Sequence, residues 1–271
     1  MKDSNSAVVV RPGLGAPHAY GPNLVIHSQP YALALLARLG HPDAVQPEVG
    51  RLAQRLYEFL YTQVASTELV VEAARIPTRM TALHPEHAWE GVRVRPAQRV
   101  VVADVARAGI LGAQLFYERF NEVLEPAGVR QDHLFVARRT DPDGRVTGAE
   151  IRSAKIGGPL AGAILVIPDP MGATGGSLLE VLDYYDRIGA GRPDRVVFAH
   201  LIVTPEYVKR IHRSFPDARI HAVRFDRGNS SAAALALPPG TLPDEESGLD
   251  EHQYIVPGAG GLGEVLNNAW V

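Results

Sequence analysis

Cysteine is absent from the 271 residues, so disulfides, thiolate nucleophiles and zinc–thiolate sites are excluded. Lysine is scarce: Lys2, Lys155 and Lys209 are the only ones among 27 basic residues. No apolar run approaches the ~20 residues that a membrane helix needs, so no membrane partner is expected. The opening MKDSNSAVVVRPG lacks a sustained apolar core, which speaks against a signal peptide and for a cytoplasmic location. A formal net charge of −3 argues against nucleic acid as a partner. The ten histidines are scattered, and His84 and His87 flank Pro85 and Glu86, so no metal site built from protein ligands alone is expected.

What remains is an ordinary globular composition, 46% hydrophobic and 21% charged, long enough for one large domain or two small ones. Residues 1–23 carry Pro, Gly and Asn without periodicity and read as an N-terminal arm or extension. Helical spacing predicts helices over 31–39, stopped by Gly40 and Pro42, and over 46–64. The mixed stretch 66–98 predicts a hairpin or an irregular insertion. Apolar runs then predict strands at 99–105, 133–138, 163–168, 195–203 and 219–225, with a short last one at 253–256. Helices at 109–124, 177–188 and 205–214 fall between them. This alternation predicts an α/β fold, a mostly parallel sheet flanked by helices. Residues 228–249, rich in Ser, Ala, Pro and Gly, read as a loop insertion in a single domain over 24–271.

The strand at 163–168 runs into Asp169 and a small-residue loop that opens a helix. Ligands of parallel sheets bind at such strand ends. Ala173, Thr174, Gly175, Gly176 and Ser177 suit a tight phosphate cradle, with amides pointing inward and a helix N-terminus behind them. No GK[ST] occurs there, so a terminal monophosphate fits better than a nucleoside triphosphate. The competing reading is a plain strand–turn–helix closed by a capping box from Ser177 to Glu180.

DPMGATGGS at 169–177 resembles the signature DPMLATGGS of uracil phosphoribosyltransferases, departing only at Gly172. YIVPG at 254–258 resembles the second signature of that family. There the family reads YIVPGLGDAGDR, and this chain departs at Gly261, Glu264 and Val265. The resemblance covers about residues 24–271 and implies the type I phosphoribosyltransferase fold with a small hood region. It further implies that uracil and phosphoribosyl pyrophosphate give uridine monophosphate and pyrophosphate, with Mg2+ accompanying the pyrophosphate. Arg107, in RAG, and Arg139 match pyrophosphate-contacting arginines, and guanidinium forks suit that ligand. Asp169 with Pro170, Met171, Gly172 and the loop 173–177 would hold the phosphoribosyl group. Ile255, Gly260, Gly261 and Leu262 match positions that read uracil through the backbone. Asp169, Arg107 and Arg139 are the candidate catalytic residues. A homodimer or higher homo-oligomer is implied as well. The departures leave open a same-fold enzyme for another base, or a non-catalytic relative that senses nucleotides.

Overall fold

The apolar run RVVVADVA forms strand β4, Arg99–Ala106, at the centre of the sheet. Its side chains alternate between two cores, with Val100 and Val102 in one and Val101, Ala103 and Val105 in the other. That double burial explains why the run is continuous rather than alternating. The computed structural model describes residues 15–140 and 146–269. The first fourteen residues of the expected arm, and 141–145 beyond Arg139, lie outside the described residues.

The elements follow in chain order. Strand β1 (Leu24–Ile26) leads to helices α1 (Pro30–Leu39) and α2 (Glu48–Glu68). Strands β2 (Val71–Ile76) and β3 (Trp89–Val94) pair as an antiparallel hairpin, which decides the reading of 66–98. After β4 come helix α3 (Ile110–Val123) and strands β5 (Val129–Thr140), β6 (Val146–Lys155) and β7 (Ala163–Pro168). A two-residue strand β8 (Met171–Gly172) precedes helix α4 (Gly176–Arg187). Then come β9 (Arg195–Val203), α5 (Pro205–Ser214) and β10 (Arg219–Phe225). Short helices α6 (Ala232–Leu235) and α7 (Leu262–Asn267) complete the set.

The main sheet has the order β1-β10-β9-β7-β4-β5-β6, with β8 added beside β9. Every pairing in it is parallel except β5 with β6. Leu56, Tyr57 and Leu60 of α2 and Phe116 and Phe120 of α3 cover one face. Leu178, Val181 and Tyr185 of α4 and Tyr207 and Ile211 of α5 cover the other. The expected layout of helices on both faces is observed.

Several strands differ from expectation, and the short β1 and β8 have no counterpart among the expected ones. Residues 253–256 form no strand, and a single bridge joins Leu249 to Ile255 instead. Asp250 Oδ1 accepts the amides of both His252 and Tyr254, folding the segment into a turn before Pro257 can extend it. Strand β6 has no counterpart among the expected strands. It is an edge strand, VTGAEIRSAK, whose mixed polarity follows from having only one neighbour.

A buried polar network ties α2 to the sheet. Glu68, 2% exposed, accepts from His221 Nε2 at 2.9 Å and from Arg195 Nη1 at 3.1 Å. His221 Nδ1 in turn lies 3.0 Å from His27 Nε2.

Candidate active site

Strand β7 ends at Pro168, and Asp169 follows in the crevice above the sheet. Its backbone is fixed on both sides. Its N–H donates to Ala199 O at 3.1 Å, and its carbonyl accepts from His200 Nδ1 at 2.6 Å. Its Oδ1 accepts from Met171 N–H at 3.0 Å. The residue keeps part of its surface open, yet crowding around the carboxyl pushes it up to about 6. The Met171 amide pulls it down, and the Asp104 carboxylate adds to the upward shift.

His200 is buried, which lowers its imidazole to about 4 and keeps it neutral near pH 7. Because the Asp169 carbonyl can only accept, His200 Nδ1 carries the proton. Nε2 is then left to accept from Tyr207 Oη at 2.6 Å. The Tyr207 ring also explains Gly172. A Cβ there would stand 2.9 Å from both Tyr207 Cδ1 and Val203 Cγ1. In this chain the tyrosine fills the space that a residue 172 side chain would need. Gly172→Leu is expected to destabilise the protein by about 1–3 kcal/mol through overpacking. Adding Tyr207→Ala should recover part of that loss. Urea melts check it, and an unaltered midpoint in the single variant would refute the packing account.

The loop that follows is anchored from α5. Thr204 Oγ1 donates to Ala173 O at 2.6 Å, and Arg210 Nη1 donates to Thr174 O at 3.3 Å. Gly175 takes the left-handed conformation, φ +78°, and caps α4 without any side-chain hydrogen bond. The capping box of Ser177 and Glu180 is therefore not formed, and Glu180 pairs with Arg187 at 2.7 Å instead. The amides of Ser177 and Leu178, in the first helical turn, have no intrahelical acceptor. Free amides, a positive helix end and a left-handed glycine together make an anion cradle.

The second loop is 107–109, at the end of β4. The Ala106–Arg107 peptide is cis. A Cβ on Gly109 would stand 2.9 Å from Val105 O and 3.1 Å from Pro168 O, so this loop packs directly on the end of β7. That packing brings Arg107 to the Asp169 side of the crevice. Arg107 is exposed, and its Nη1 donates to Ala269 O at 3.3 Å. Arg139 is placed differently. It pairs with Gly148 on β6, four residues past Phe135, the partner of Ala106. At ~3.3 Å per residue that is about 13 Å further along β5. The structure thus gathers Asp169, the 173–177 loop and Arg107, while Arg139 sits on the β5–β6 ribbon.

The C-terminal segment closes the third side. Ile255 and Leu262 are buried. Gly258 is held by Arg224 Nη2 on its carbonyl at 2.7 Å and by Asp226 Oδ2 on its amide at 2.8 Å. Gly260 has φ +70° and Gly261 φ −78°, the latter capping α7. A Cβ on Gly263 would lie 3.5 Å from Ala108 Cβ, so the segment abuts the 107–109 loop.

The sequence reading missed Asp104, His133 and Tyr57. Asp104 Oδ2 accepts from His133 Nδ1 at 2.9 Å, while its Oδ1 and the Tyr57 hydroxyl are buried without a partner among the described residues. Burial raises the Asp104 carboxyl, and His133 opposes that shift. An acid inside the apolar run RVVVADV was the available signal.

A parallel sheet with this cradle at its C-terminal edge is the frame of a type I phosphoribosyltransferase. The family model described as uracil phosphoribosyltransferase matches residues 26–238, and the chain belongs to that family. It is 26% identical over 235 residues to a uracil phosphoribosyltransferase of Pyrococcus furiosus, covering 87% of this chain and 85% of the relative. A uracil phosphoribosyltransferase of Rhodococcus jostii is 29% identical over 176 residues, covering 64% of this chain and 68% of the relative. Among solved structures, the AQ2163 protein of Aquifex aeolicus superposes with a TM-score of 0.65 at 21% identity. That match covers 92% of this chain and 99% of the other.

Proposed function

We propose that the protein transfers the phosphoribosyl group of phosphoribosyl pyrophosphate to uracil, giving uridine monophosphate and pyrophosphate in pyrimidine salvage. The observation that carries this reading is the start of α4 at left-handed Gly175, with no side-chain cap, six residues after Asp169, whose preceding residue Pro168 packs against the 107–109 loop. The 173–177 amides take the 5′-phosphate, and this remote binding energy positions the reacting ribose. Asp169 accepts the ribose hydroxyls, and its negative charge favours the positive charge that develops at C1. The C1–oxygen bond to pyrophosphate breaks, the C1–N1 bond to the base forms, and the N1 proton leaves. Arg107 offsets the leaving-group charge. The backbone around Ile255, Gly260, Gly261 and Leu262 reads the base.

Among the described residues no three His, Asp or Glu side chains gather as a metal cage. The Asp169 and Asp104 carboxylates, close enough for Asp104 to raise Asp169, suit the water shell of a cation that comes with the substrate. Mg2+ carried in by the pyrophosphate would supply charge neutralisation to the leaving group. Among the described residues no helix is long and apolar enough to cross a membrane. A cytoplasmic location belongs to the same proposal, since both substrates are small polar metabolites. Val71, Trp89 and Val92 on the β2–β3 hairpin are exposed, which favours a homodimer or higher homo-oligomer that covers them.

Pyrophosphate release measured with a panel of free bases tests the reading. Turnover with uracil supports it, turnover with another base reassigns the specificity, and nucleotide binding without turnover makes the protein a sensor. A second test addresses the cradle. In Gly175→Val, a Cβ 3.4 Å from the Tyr207 ring and a φ of +78° both disfavour the side chain. We expect uridine monophosphate affinity to fall about 10–100-fold, the loss of one or two charge-assisted hydrogen bonds. Stability should fall by about 1 kcal/mol or more. Calorimetry with unchanged affinity would remove the loop from the site.

A further inference from the structure

Strand β9 holds the Asp169 segment along its length, and the ladder between them slips at one point. Asp169 N–H donates to Ala199 O at 3.1 Å. A regular parallel ladder would next bring the Leu201 amide back to Asp169 O. Instead the Leu201 and Ile202 amides both meet Pro170 O, at 3.2 and 3.1 Å. Pairing then resumes one residue out of phase, with Thr204 N–H on Gly172 O at 3.1 Å. The slip has two consequences. It releases the Met171 amide from β9, and that amide turns to Asp169 Oδ1 at 3.0 Å. It also leaves Asp169 O without a backbone donor among the described residues, and a carbonyl facing a packed interior needs one. His200 Nδ1 fills that place at 2.6 Å. The imidazole has a single seat. It is buried, stacked on Phe198 at 14° with centroids 6.2 Å apart, and its other nitrogen is taken by Tyr207 Oη at 2.6 Å.

With the Asp169 N–H held by Ala199 and its carbonyl held by His200, both peptide planes that flank the residue are fixed, and so is the direction in which its carboxyl leaves the chain. We infer that His200 is a positioning residue for Asp169: it supplies the donor that the ladder omits, and so aims the carboxylate at the ribose hydroxyls. The inference rests on the proposed reaction, because that reading puts the ribose at Asp169. The role falls on the ribose and not on the 5′-phosphate, since the cradle is anchored separately, through Thr204 on Ala173 O and Arg210 on Thr174 O.

The experiment compares the natural protein with His200→Leu, His200→Asn and His200→Gln. The asparagine amide reaches the place of Nδ1 and can still donate to Asp169 O, whereas the glutamine amide extends past it towards Tyr207. Calorimetry measures binding of uridine monophosphate, of its 2′,3′-dideoxy form and of inorganic phosphate. Steady-state rates give kcat and the uracil KM. For His200→Leu and His200→Gln we expect kcat to fall about tenfold or more at an unchanged uracil KM, the effect of a displaced charge. The preference for uridine monophosphate over its dideoxy form should fall about tenfold as well, while phosphate affinity holds. His200→Asn should keep both kcat and that preference within a few-fold of the natural protein. If the leucine variant does not fold, the contrast between asparagine and glutamine decides, because the two are equally polar. Equal behaviour of those two variants would overturn the inference. So would a loss of phosphate affinity as large as the loss of ribose preference. Turnover of uracil by the natural protein, with kcat and ribose preference indifferent to His200→Gln, sinks the inference alone. Absence of turnover with any base, while His200→Gln still removes the ribose preference, sinks the proposed reaction and spares the positioning role.

Discussion

Asp169→Asn is expected to lower turnover by about 10²-fold or more while making the folded protein more stable. The loss follows from removing one preorganised charge aimed at the developing cation. Asparagine keeps the shape, and its Oδ1 can still accept the Met171 amide that now lies 3.0 Å from Asp169. The gain follows from the raised carboxyl. The folded state holds the Asp169 proton up to about pH 6, against an ordinary value of 3.8. A raised acid contributes stability that is fully present below about pH 4 and is lost as pH rises through 6. Near neutral pH the charged form is therefore a burden, on the order of 1–3 kcal/mol after allowing for its partly open surface. The asparagine variant carries no such burden at any pH. The turnover of the natural protein should also fall as pH drops through about 6, where the carboxylate becomes protonated, and the variant should lose that limb. Stopped assays across pH 5–8, with urea melts at the same values, measure both effects. A variant within a few-fold of the natural rate would end the assigned role. A variant less stable than the natural protein at pH 7.5 would contradict the burial argument.

Such a trade of stability for activity is common at catalytic positions, and the sequence carried its two halves unequally. The strands buried on both faces were legible because continuous apolar runs have one reading beside helical periods: 163–168, 195–203 and 219–225 were placed to the residue. The cradle was legible because small residues after a buried strand leave few options. What was not legible depends on partners distant in the chain. Strand β6 exists only because β5 offers it an edge, so its own residues carry no strong period. Gly172 is an unexplained departure in the sequence alone, and Tyr207, 35 residues later, accounts for it by occupying its space. Glu264 reads only as a departure from the family's final Asp-Arg pair, and its rotamer over Gly261 is visible only in the structure. Asp104 was visible in the sequence, but its pairing with His133 needed the β4–β5 register.

The largest stability effect is expected far from the cradle, at Glu68. This carboxylate ends α2 and is buried against the opening residues of β9 and β10, at the sheet's opposite edge. It accepts from His221 Nε2 at 2.9 Å and Arg195 Nη1 at 3.1 Å, and Arg219 Nε stands 3.7 Å away. The other ring nitrogen of His221, Nδ1, lies 3.0 Å from His27 Nε2, so the network continues to the loop after β1. Glu68→Ala strands the buried His221 donor and two arginines at once. Removing one partner of a buried ionic network costs about 3–5 kcal/mol. Glu68→Gln keeps an acceptor oxygen and the packing, so its loss should be about half as large. The pH dependence supplies an independent check. Burial alone would raise the Glu68 carboxyl, but the His221 hydrogen bond and the charges of His221, Arg219 and Arg195 outweigh it and hold the group below its ordinary 4.5. A depressed acid contributes stability that is present above about 4.5 and is lost as pH falls through its folded value. The natural protein should weaken below that pH, and Glu68→Ala should lack this part of the acid loss. Asp169 acts in the opposite sense, so the two carboxylates can be told apart in one set of urea melts at pH 3.5, 5 and 7. Turnover of the folded Glu68→Ala protein should stay within a few-fold of the natural rate, because none of these contacts touches the 107–109 or 173–177 loops. A destabilisation below 1 kcal/mol at pH 7, or an unchanged acid limb, would show that the network does not hold α2 to the sheet.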